Sequence, residues 1–240
     1  MSRKQITILQ LYPEDMNIYG DWGNCLVLKR RLEWHGYDPI ITSLNLNEDF
    51  PDSVDIVVGG GGHASHQLLV ASDIARHKNK LSELIESGTP MLLICGMFQL
   101  FGHSFSASGG IEIKGIGLLD ITTRSGEGRL KGNTVIETKE FGQIVGYENH
   151  SGRTALGPTS KPFGKVVKGE GNNGEDGEEG CRLKNTIGTY LHGSILPKNP
   201  KLADFLIKTA ATNKYGHFEA KSIKDPYVDK ARAIAIKRSR

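Results

Sequence analysis

Short apolar runs separated by stretches with helical spacing are the feature that most limits how this chain can fold. Apolar residues recur at helical spacing in 24–35 and 65–87. The runs around them are short and rich in Ile, Val and Leu, and they cover 5–11, 39–44, 54–58 and 90–94. Strands that alternate with helices in this way form a parallel sheet covered by helices on both faces. We therefore predict an α/β fold.

The second half of the chain has shorter segments punctuated by glycine. Its short runs predict hairpins at 135–136, 143–147 and 165–168. The mostly parallel sheet is therefore expected to gain antiparallel strands, and the polar stretch 169–180 is expected to be a surface loop. A further strand is predicted at 186–191, and helices are predicted at 200–212 and 227–236.

Composition and charge exclude several classes of protein. Of the 240 residues, 38% are hydrophobic, which is enough for a packed core, and the net charge is only +3. Nucleic-acid binding therefore has no support. No stretch approaches the roughly 20 apolar residues of a membrane span, and the start of the chain lacks a signal-peptide pattern, so we expect a cytoplasmic protein. The three cysteines lie far apart without metal-ligand spacing, which predicts free thiols and no metal site.

Cys95 lies where a predicted buried strand turns into a helix. The sequence CGMFQLFG covers 95–102, with Gly96 directly after the cysteine. Such a turn places the side chain at the carboxyl edge of a parallel sheet and at a helix N-terminus, which lowers the pKa of a thiol. Cys95 is therefore a candidate nucleophile, and the amide of Gly96 a candidate oxyanion donor. The alternative is a small buried residue, which is the commoner role of a cysteine at the end of a strand.

Two more segments add candidate groups. Four consecutive glycines at 59–62 let backbone amides approach a ligand closely, so the run either cradles a phosphate or supplies a second oxyanion donor. Neither a Gly-Lys-Ser/Thr sequence nor GxGxxG spacing is present there. His192 follows a predicted strand and precedes Gly193. It is a candidate base for a thiol nucleophile, although a lone histidine more often has only a structural role.

These segments together resemble a known family. CGMFQLFG, the glycine run and YLHG at 190–193 occur in the order found in the cobyric-acid-synthase-like branch of class I glutamine amidotransferases. Within that branch, LYPEDMNIYGDWGN at 11–24 and GYENHSGRT at 146–154 resemble the glutaminase subunit of lipid II isoglutaminyl synthase. The resemblance extends from about residue 6 to 215. It implies one flavodoxin-like amidotransferase domain at 1–215, followed by an extension at 216–240 with a helix and a basic tail.

The resemblance also implies a role for each candidate residue. Cys95 is the nucleophile and His192 its base. The amides around the oxyanion are those of Gly60, Gly61 and Gly96. The glutamine-binding residues are Arg129, Gln99 and Asn149.

One position departs from the class I pattern. Many members carry an acid two residues after the histidine, whereas Gly193 and Ser194 follow His192 here. The third member of the triad is therefore expected to be missing, to come from elsewhere in the chain, or to come from a partner.

The implied reaction is hydrolysis of L-glutamine to glutamate and ammonia. The ammonia passes to a Mur-ligase-like synthase subunit in a heterodimer, which amidates the D-glutamate α-carboxylate of lipid II. The chain has no phosphate-binding lysine loop or magnesium-binding carboxylate cluster, so ATP and Mg are expected on the partner and no cofactor in this chain. The alternatives are a glutaminase serving another acceptor such as a cofactor acid, a cysteine peptidase or deglycase, and a non-catalytic binding module.

Overall fold

A computed structural model describes residues 3–106 and 112–238 of the chain. The strands within these ranges are β1 (Gln5–Leu11), β2 (Asp38–Leu44), β3 (Ile56–Gly59), β4 (Met91–Ile94), β5 (Ser104–Ser106), β6 (Glu112–Lys114), β7 (Ile121–Thr138), β8 (Gly142–Leu156), β9 (Gly164–Lys168), β10 (Glu178–Glu179), β11 (Cys181–Leu183) and β12 (Thr186–Thr189). The helices are α1 (Gly23–His35), α2 (Ala64–Ile74), α3 (Lys78–Glu86), α4 (Gly96–Phe101), α5 (Pro200–Tyr215) and α6 (Pro226–Lys237).

The predicted parallel sheet is present and holds six strands. Their order is β11-β12-β4-β3-β1-β2, and only β11 runs antiparallel to its neighbour. Leu11 pairs with Gly59, Gly59 with Leu93, and Thr189 with Ile94. The carboxyl ends of the four inner strands therefore meet at one edge, where open α/β sheets bind ligands.

Apolar side chains alternate between the two faces of this sheet. In β3, Ile56 and Val58 belong to the core cluster beneath α1 and α5, whereas Val57 belongs to the cluster beneath α2, α3 and α4. Successive residues of β4 divide between the clusters in the same way. Both faces of the sheet are thus covered by helices, and the predicted fold class is confirmed.

Most of the added antiparallel strands form a second sheet, and only β11 extends the first. The order of the second sheet is β10-β9-β7-β5-β6, with β8 paired to the long strand β7. β7 and β8 form the hairpin predicted around 135–147, but they contain 18 and 15 residues and are much longer than expected. A register shift between Ser125 and Leu130 keeps the strand continuous past its glycines, of which Gly128 has a φ of +64°. The stretch predicted as a surface loop also contains the short strand β10.

The helical candidate at 65–87 is two helices. A 3₁₀ turn at Ala75–His77 separates α2 from α3. Just before it, the buried Asp73 side chain accepts hydrogen bonds from the Tyr12 hydroxyl and the Asn47 amide. These contacts come from distant parts of the chain, so the local sequence does not reveal the break.

α6 covers the segment where a C-terminal helix was predicted, and residues 239–240 of the predicted basic tail lie outside the described residues. Within the described ranges, none of the helices combines the length and the apolar character that crossing a membrane requires.

Candidate active site

Cys95 occupies a strained turn at the edge of the central sheet. It follows the last residue of β4 and precedes α4, with φ +49° and ψ −102°. A positive φ is uncommon for a residue other than glycine, and strain of this kind is typical of a nucleophile held on a strand-turn-helix elbow. Its amide donates to the Thr189 carbonyl at 2.8 Å. The turn is therefore fixed to the end of β12, and the thiol is partly exposed.

His192 leaves the same edge of the sheet three residues beyond β12. Its backbone pairs with Tyr147 of β8, since each amide donates to the other residue's carbonyl. The edge of the Tyr19 ring lies against the imidazole, with the ring centroids 4.5 Å apart. His192 is only 2% exposed. The second sheet thus holds the backbone of His192, and the loop between β1 and α1 holds its ring.

Cys95 and His192 both lie against Gly61 of the glycine run. A Cβ built on Gly61 would lie 3.0 Å from Cε1 of His192 and 3.4 Å from Cβ of Cys95. A hydrogen bond with the Cys95 thiol helps to raise the pKa of His192, and within the described residues Nε2 has no other partner. Burial disfavours the imidazolium, but the charge of Cys95 and the hydrogen bond with Asp21 outweigh burial and raise the pKa of His192 to about 10. The structure therefore brings together the two residues predicted to be nucleophile and base.

Asp21 is the one acid that the structure places against His192 within the described residues, and the sequence did not point to it. Both carboxylate oxygens lie 3.4 Å from Nδ1 of His192, and the residue is 1% exposed. It belongs to the loop between β1 and α1, inside the 11–24 motif, but nothing in the motif marks it as a partner of a histidine 171 positions away. An acid from elsewhere in the chain therefore contacts His192, but which of the three expectations holds for the third triad member stays a prediction.

The glycine run packs closely against the loop that carries Asp21. A Cβ on Gly60 would lie 2.2 Å from the Met16 carbonyl oxygen, so a side chain cannot be accommodated. The amide of Gly61 donates to Oδ2 of Asp21 at 2.9 Å and therefore has a partner in this structure. Gly96 is the first residue of α4, where amides have no intrahelical partner. The oxyanion roles of the three glycines remain predictions.

A cavity of about 210 Å³ opens beside the thiol. Four of the predicted residues line it, namely Cys95, Gln99, Arg129 and Asn149. Gly62 also lines it, whereas His192, Gly60, Gly61 and Gly96 do not.

A buried chain of hydrogen bonds forms the wall behind Cys95. Gln67 donates to the Gly96 carbonyl and to Oε1 of Gln99. Gln99 in turn donates to the Tyr190 hydroxyl, which is hydrogen-bonded to Thr154. Both ends of the Gln99 amide are thus used within the protein, which makes Gln99 a rigid wall residue.

Arg129 and Asn149 form one unit at the mouth of the cavity. The guanidinium donates from Nε to Oδ1 of Asn149 at 2.8 Å, and from Nη2 to its carbonyl at 2.7 Å. Asn149 donates to the Tyr19 hydroxyl at 3.0 Å. The exposed arginine is thereby oriented on the cavity rim, although 20 positions separate it from Asn149.

His150 lines the same cavity and has one buried ring nitrogen without a partner among the described residues. Its ring stacks on Tyr190 with centroids 3.6 Å apart, and Nδ1 is 2.9 Å from the Gly152 carbonyl. Burial lowers the pKa of His150 to about 3, so the ring is neutral. Nδ1 must then carry the proton donated to Gly152, and Nε2 keeps a lone pair without a partner among the described residues.

The other thiols differ from Cys95. Cys25 and Cys181 are both buried, and burial raises the pKa of these thiols to about 12 and about 11. Among the described residues, no group of three His, Cys, Asp or Glu side chains is arranged to hold a metal ion.

Comparisons with known proteins agree with this geometry. Residues 7–200 match the CobB/CobQ-like glutamine amidotransferase domain. The "Lipid II isoglutaminyl synthase (glutamine-hydrolyzing) subunit GatD" of Staphylococcus aureus (strain N315) is 39% identical over 98% of this chain and 96% of its own length. The subunit of the same name from Streptococcus pneumoniae (strain ATCC BAA-255 / R6) is 39% identical over 88% of this chain and 83% of its own length. A solved glutamine amidotransferase superposes with a TM-score of 0.58 over 85% of this chain and 98% of its own, and at 14% identity it supports the fold alone.

The fold and the site define a class I glutamine amidotransferase, an enzyme subunit in which the candidate nucleophile Cys95 lies on the edge of a parallel sheet. More narrowly, the chain belongs to the CobB/CobQ-like glutamine amidotransferase family. Within that family it is similar along nearly its whole length to the GatD subunits.

Proposed function

We propose that this chain is the glutamine-hydrolysing subunit of a lipid II isoglutaminyl synthase. The observation that carries the proposal is the placement of Cys95 and His192 together against Gly61, beside a cavity lined by Cys95 and Arg129. The near full-length similarity to subunits with that name supports the same conclusion. The complex works in the cytoplasm.

The first step is attack of the Cys95 thiolate on the carboxamide carbon of glutamine. The strained turn holds the sulfur at the partly exposed cavity wall, and the raised pKa of His192 favours an imidazolium beside it. Backbone amides at the elbow and the glycine run stabilise the oxyanion, and one such donor contributes on the order of 3 kcal/mol in related reactions.

The second step is loss of ammonia. The His192 imidazolium gives its proton to the departing amine, which leaves a glutamyl thioester on Cys95. The neutral imidazole then takes a proton from water, whose oxygen attacks the thioester and releases glutamate. The sulfur begins and ends as a thiolate, so the chemistry needs no cofactor in this chain.

Glutamine is held by the rim of the cavity. Arg129 offers its oriented guanidinium to the α-carboxylate of the substrate. The lone pair on Nε2 of His150 is an acceptor for an N–H of the substrate, since a buried acceptor without a partner costs free energy until it is paired.

The acceptor reaction takes place on a partner subunit. A Mur-ligase-like protein binds ATP and Mg, activates the D-glutamate α-carboxylate of lipid II and receives the ammonia in a heterodimer with this chain. Three exposed apolar side chains lie on the segments that meet at His192 and are suited to cover the site against a partner. They are Trp22, Leu26 and Tyr147, which are 46%, 42% and 41% exposed.

A glutaminase assay tests the first half of the proposal. Ammonia release from L-glutamine should be abolished in Cys95→Ala and retained in Cys181→Ser, which changes a buried thiol outside the cavity. Undiminished release from Cys95→Ala would refute the mechanism. No release from wild type, alone or with the partner, would instead favour a binding module.

A lipid II assay tests the second half. The complex with the Mur-ligase-like partner, supplied with ATP and glutamine, should convert a carboxylate of the lipid II stem peptide to a carboxamide, as measured by mass spectrometry. Glutaminase activity without this product would support glutamine hydrolysis by this chain but contradict lipid II as the acceptor of the ammonia.

A further inference from the structure

We propose that Tyr19 links the binding of glutamine to the placement of the base. Its hydroxyl, beside Arg129, donates to the α-carboxylate of glutamine, and its ring holds the His192 imidazole. The proposal rests on the glutaminase function proposed above and adds a substrate contact to it. Tyr19 belongs to the loop between β1 and α1 and lines the cavity that also contains Cys95 and Arg129.

A tight turn presents Tyr19 at its tip. The Gly20 amide donates to the Asn17 carbonyl at 3.1 Å, and Gly20 has a φ of +71°, which glycine adopts without strain. The side chain of Asn17 in turn accepts from the Trp22 amide at 3.0 Å. The backbone of Tyr19 is therefore fixed by hydrogen bonds on both of its sides.

The same turn is fastened to two segments of the site. The Ile18 amide donates to the Gly61 carbonyl at 3.0 Å. On the other side, the Ser194 hydroxyl donates to the Gly20 carbonyl at 2.9 Å. Tyr19 lies between Ile18 and Gly20, so it is anchored both to the glycine run and to the segment that follows the candidate base.

The Tyr19 hydroxyl has a hydrogen that the protein does not use. It accepts from Nδ2 of Asn149 at 3.0 Å and from Nη2 of Arg129 at 3.5 Å. These are its two hydrogen bonds within the described chain, and the hydroxyl is the acceptor in both. A phenolic hydroxyl also carries one hydrogen that it can donate. That hydrogen is left for a ligand in the cavity.

Arg129 supplies further donors at the same place. Its Nε and Nη2 are engaged by Asn149 and Tyr19, whereas Nη1 has no partner among the described residues. Since Nη2 lies 3.5 Å from the Tyr19 hydroxyl, the remaining hydrogens of both groups can reach the two oxygens of one carboxylate. A positive charge next to a neutral donor suits the α-carboxylate of an amino acid.

The ring of Tyr19 covers the base. The centroids of the phenol and the His192 imidazole are 4.5 Å apart, and the ring planes are inclined by 68°. Tyr19 is 38% exposed, whereas His192 is 2% exposed. The phenol therefore lies between the imidazole and solvent on this side. It acts on catalysis only through His192, by limiting the orientations of the imidazole beside Cys95.

Tyr19→Phe removes the hydroxyl and keeps the ring. The lost contact is made equally in the bound substrate and in the transition state, because the α-carboxylate takes no part in the chemistry. We expect KM for glutamine to rise about tenfold with kcat within about twofold of wild type, as for loss of one hydrogen bond to a charged group. Steady-state kinetics of ammonia release measure both quantities.

Tyr19→Leu removes the hydroxyl and the ring together. We expect the same rise in KM and, in addition, a fall in kcat of about tenfold, because the imidazole loses the aromatic contact that restricts it. The comparison of the two variants is the decisive readout. Phenylalanine should restore kcat but not KM, a split that a general loosening of the loop would not produce.

Glutamine binding gives a readout that does not depend on turnover. In a Cys95→Ala background the substrate cannot be consumed, so calorimetry measures its Kd directly. Adding Tyr19→Phe should raise this Kd about tenfold. Tyr227→Phe is the matched control, since Tyr227 is 82% exposed on α6 outside the cavity lining, and its hydroxyl can be removed without effect on KM, kcat or Kd.

The outcomes separate this inference from the proposed function. If the wild type hydrolyses glutamine and Tyr19→Phe leaves KM and Kd unchanged, the inference is overturned while the glutaminase stands. If Tyr19→Phe lowers kcat as much as Tyr19→Leu, the ring does not hold the base, and the inference again fails. A wild type that binds glutamine without hydrolysing it contradicts the proposed function, and the Kd of the variants still tests the hydroxyl. A chain that does not bind glutamine at all contradicts both.

Discussion

Arg129 is held on the cavity rim by two hydrogen bonds from one guanidinium to one asparagine. A lysine carries the same charge but cannot make this planar pair of bonds, so Arg129→Lys should leave the positive charge poorly placed for the α-carboxylate of glutamine. We expect KM for glutamine to rise about tenfold with kcat nearly unchanged, a loss of about 1.4 kcal/mol in ground-state and transition-state binding alike. Steady-state kinetics of glutamine hydrolysis measure both KM and kcat.

Arg124→Lys is the control for that substitution. Arg124 is an exposed arginine of the same strand, β7, outside the cavity lining. Its replacement should leave KM within about twofold of wild type, since surface substitutions away from special contacts usually have small effects. A tenfold change in both variants, or in neither, would contradict the role of Arg129.

For single residues, the sequence predicts a role only where the flanking residues along the chain indicate it. Cys95 is recognisable because a strand, a glycine and a helix surround it, and His192 because a strand end and a glycine do. Asp21 is different, since its role depends on an imidazole 171 positions away and on a glycine 40 positions away. Without the folded loop, this aspartate looks like any polar residue before a helix.

The position of Cys95 also depends on close packing between β12 and α4. Gly188 in β12 faces the first turn of α4, and a Cβ there would lie 2.1 Å from Cδ2 of the fully buried Phe98. Gly188→Ala must push α4 away from the sheet. We expect the free energy of unfolding to fall by about 1–3 kcal/mol in urea denaturation, together with a lower kcat because α4 begins directly after Cys95.

Thr186→Val supplies the comparison within the same strand. The Thr186 hydroxyl is buried without a hydrogen-bond partner among the described residues, so a methyl group of similar size removes an unsatisfied polar atom. Stability should stay equal or rise by up to about 1 kcal/mol. If Gly188→Ala were as stable as wild type, the tight contact with Phe98 would not be a constraint on the site.

At the level of elements, local pattern predicts the parallel strands well and the second sheet poorly. Strands such as β1 and β4 are continuous apolar runs, because both faces of the central sheet are buried. β7 is partly exposed and crosses several glycines, so its 18 residues carry no comparable signal. Its continuity comes from pairing with β8 over most of its length, which is a property of the folded chain.

For the molecule as a whole, the arrangement of the two sheets explains where the site lies. The central sheet supplies Cys95 and His192 from neighbouring strand ends, and the second sheet supplies Arg129, Asn149 and the backbone of Tyr147. The sequence predicts the first contribution from the rule that parallel sheets bind ligands at their carboxyl edge. The contribution of the second sheet follows only from the family resemblance, because no local pattern predicts that β7 and β8 lie over that edge.

The rim of the site also provides a test of the proposed assembly. Leu26 is exposed on α1, one turn beyond Trp22, which directly follows Asp21. A glutamate at position 26 would place a charge in an apolar interface, so Leu26→Glu should raise the Kd for the Mur-ligase-like partner about tenfold or more, as measured by calorimetry.

Val167→Glu is the control, since Val167 is 58% exposed on β9 and should tolerate the charge. Glutaminase activity of the chain alone should be unchanged in both variants, whereas ATP-dependent amidation should fall only in Leu26→Glu. Equal Kd values for wild type and Leu26→Glu would place the partner on another face.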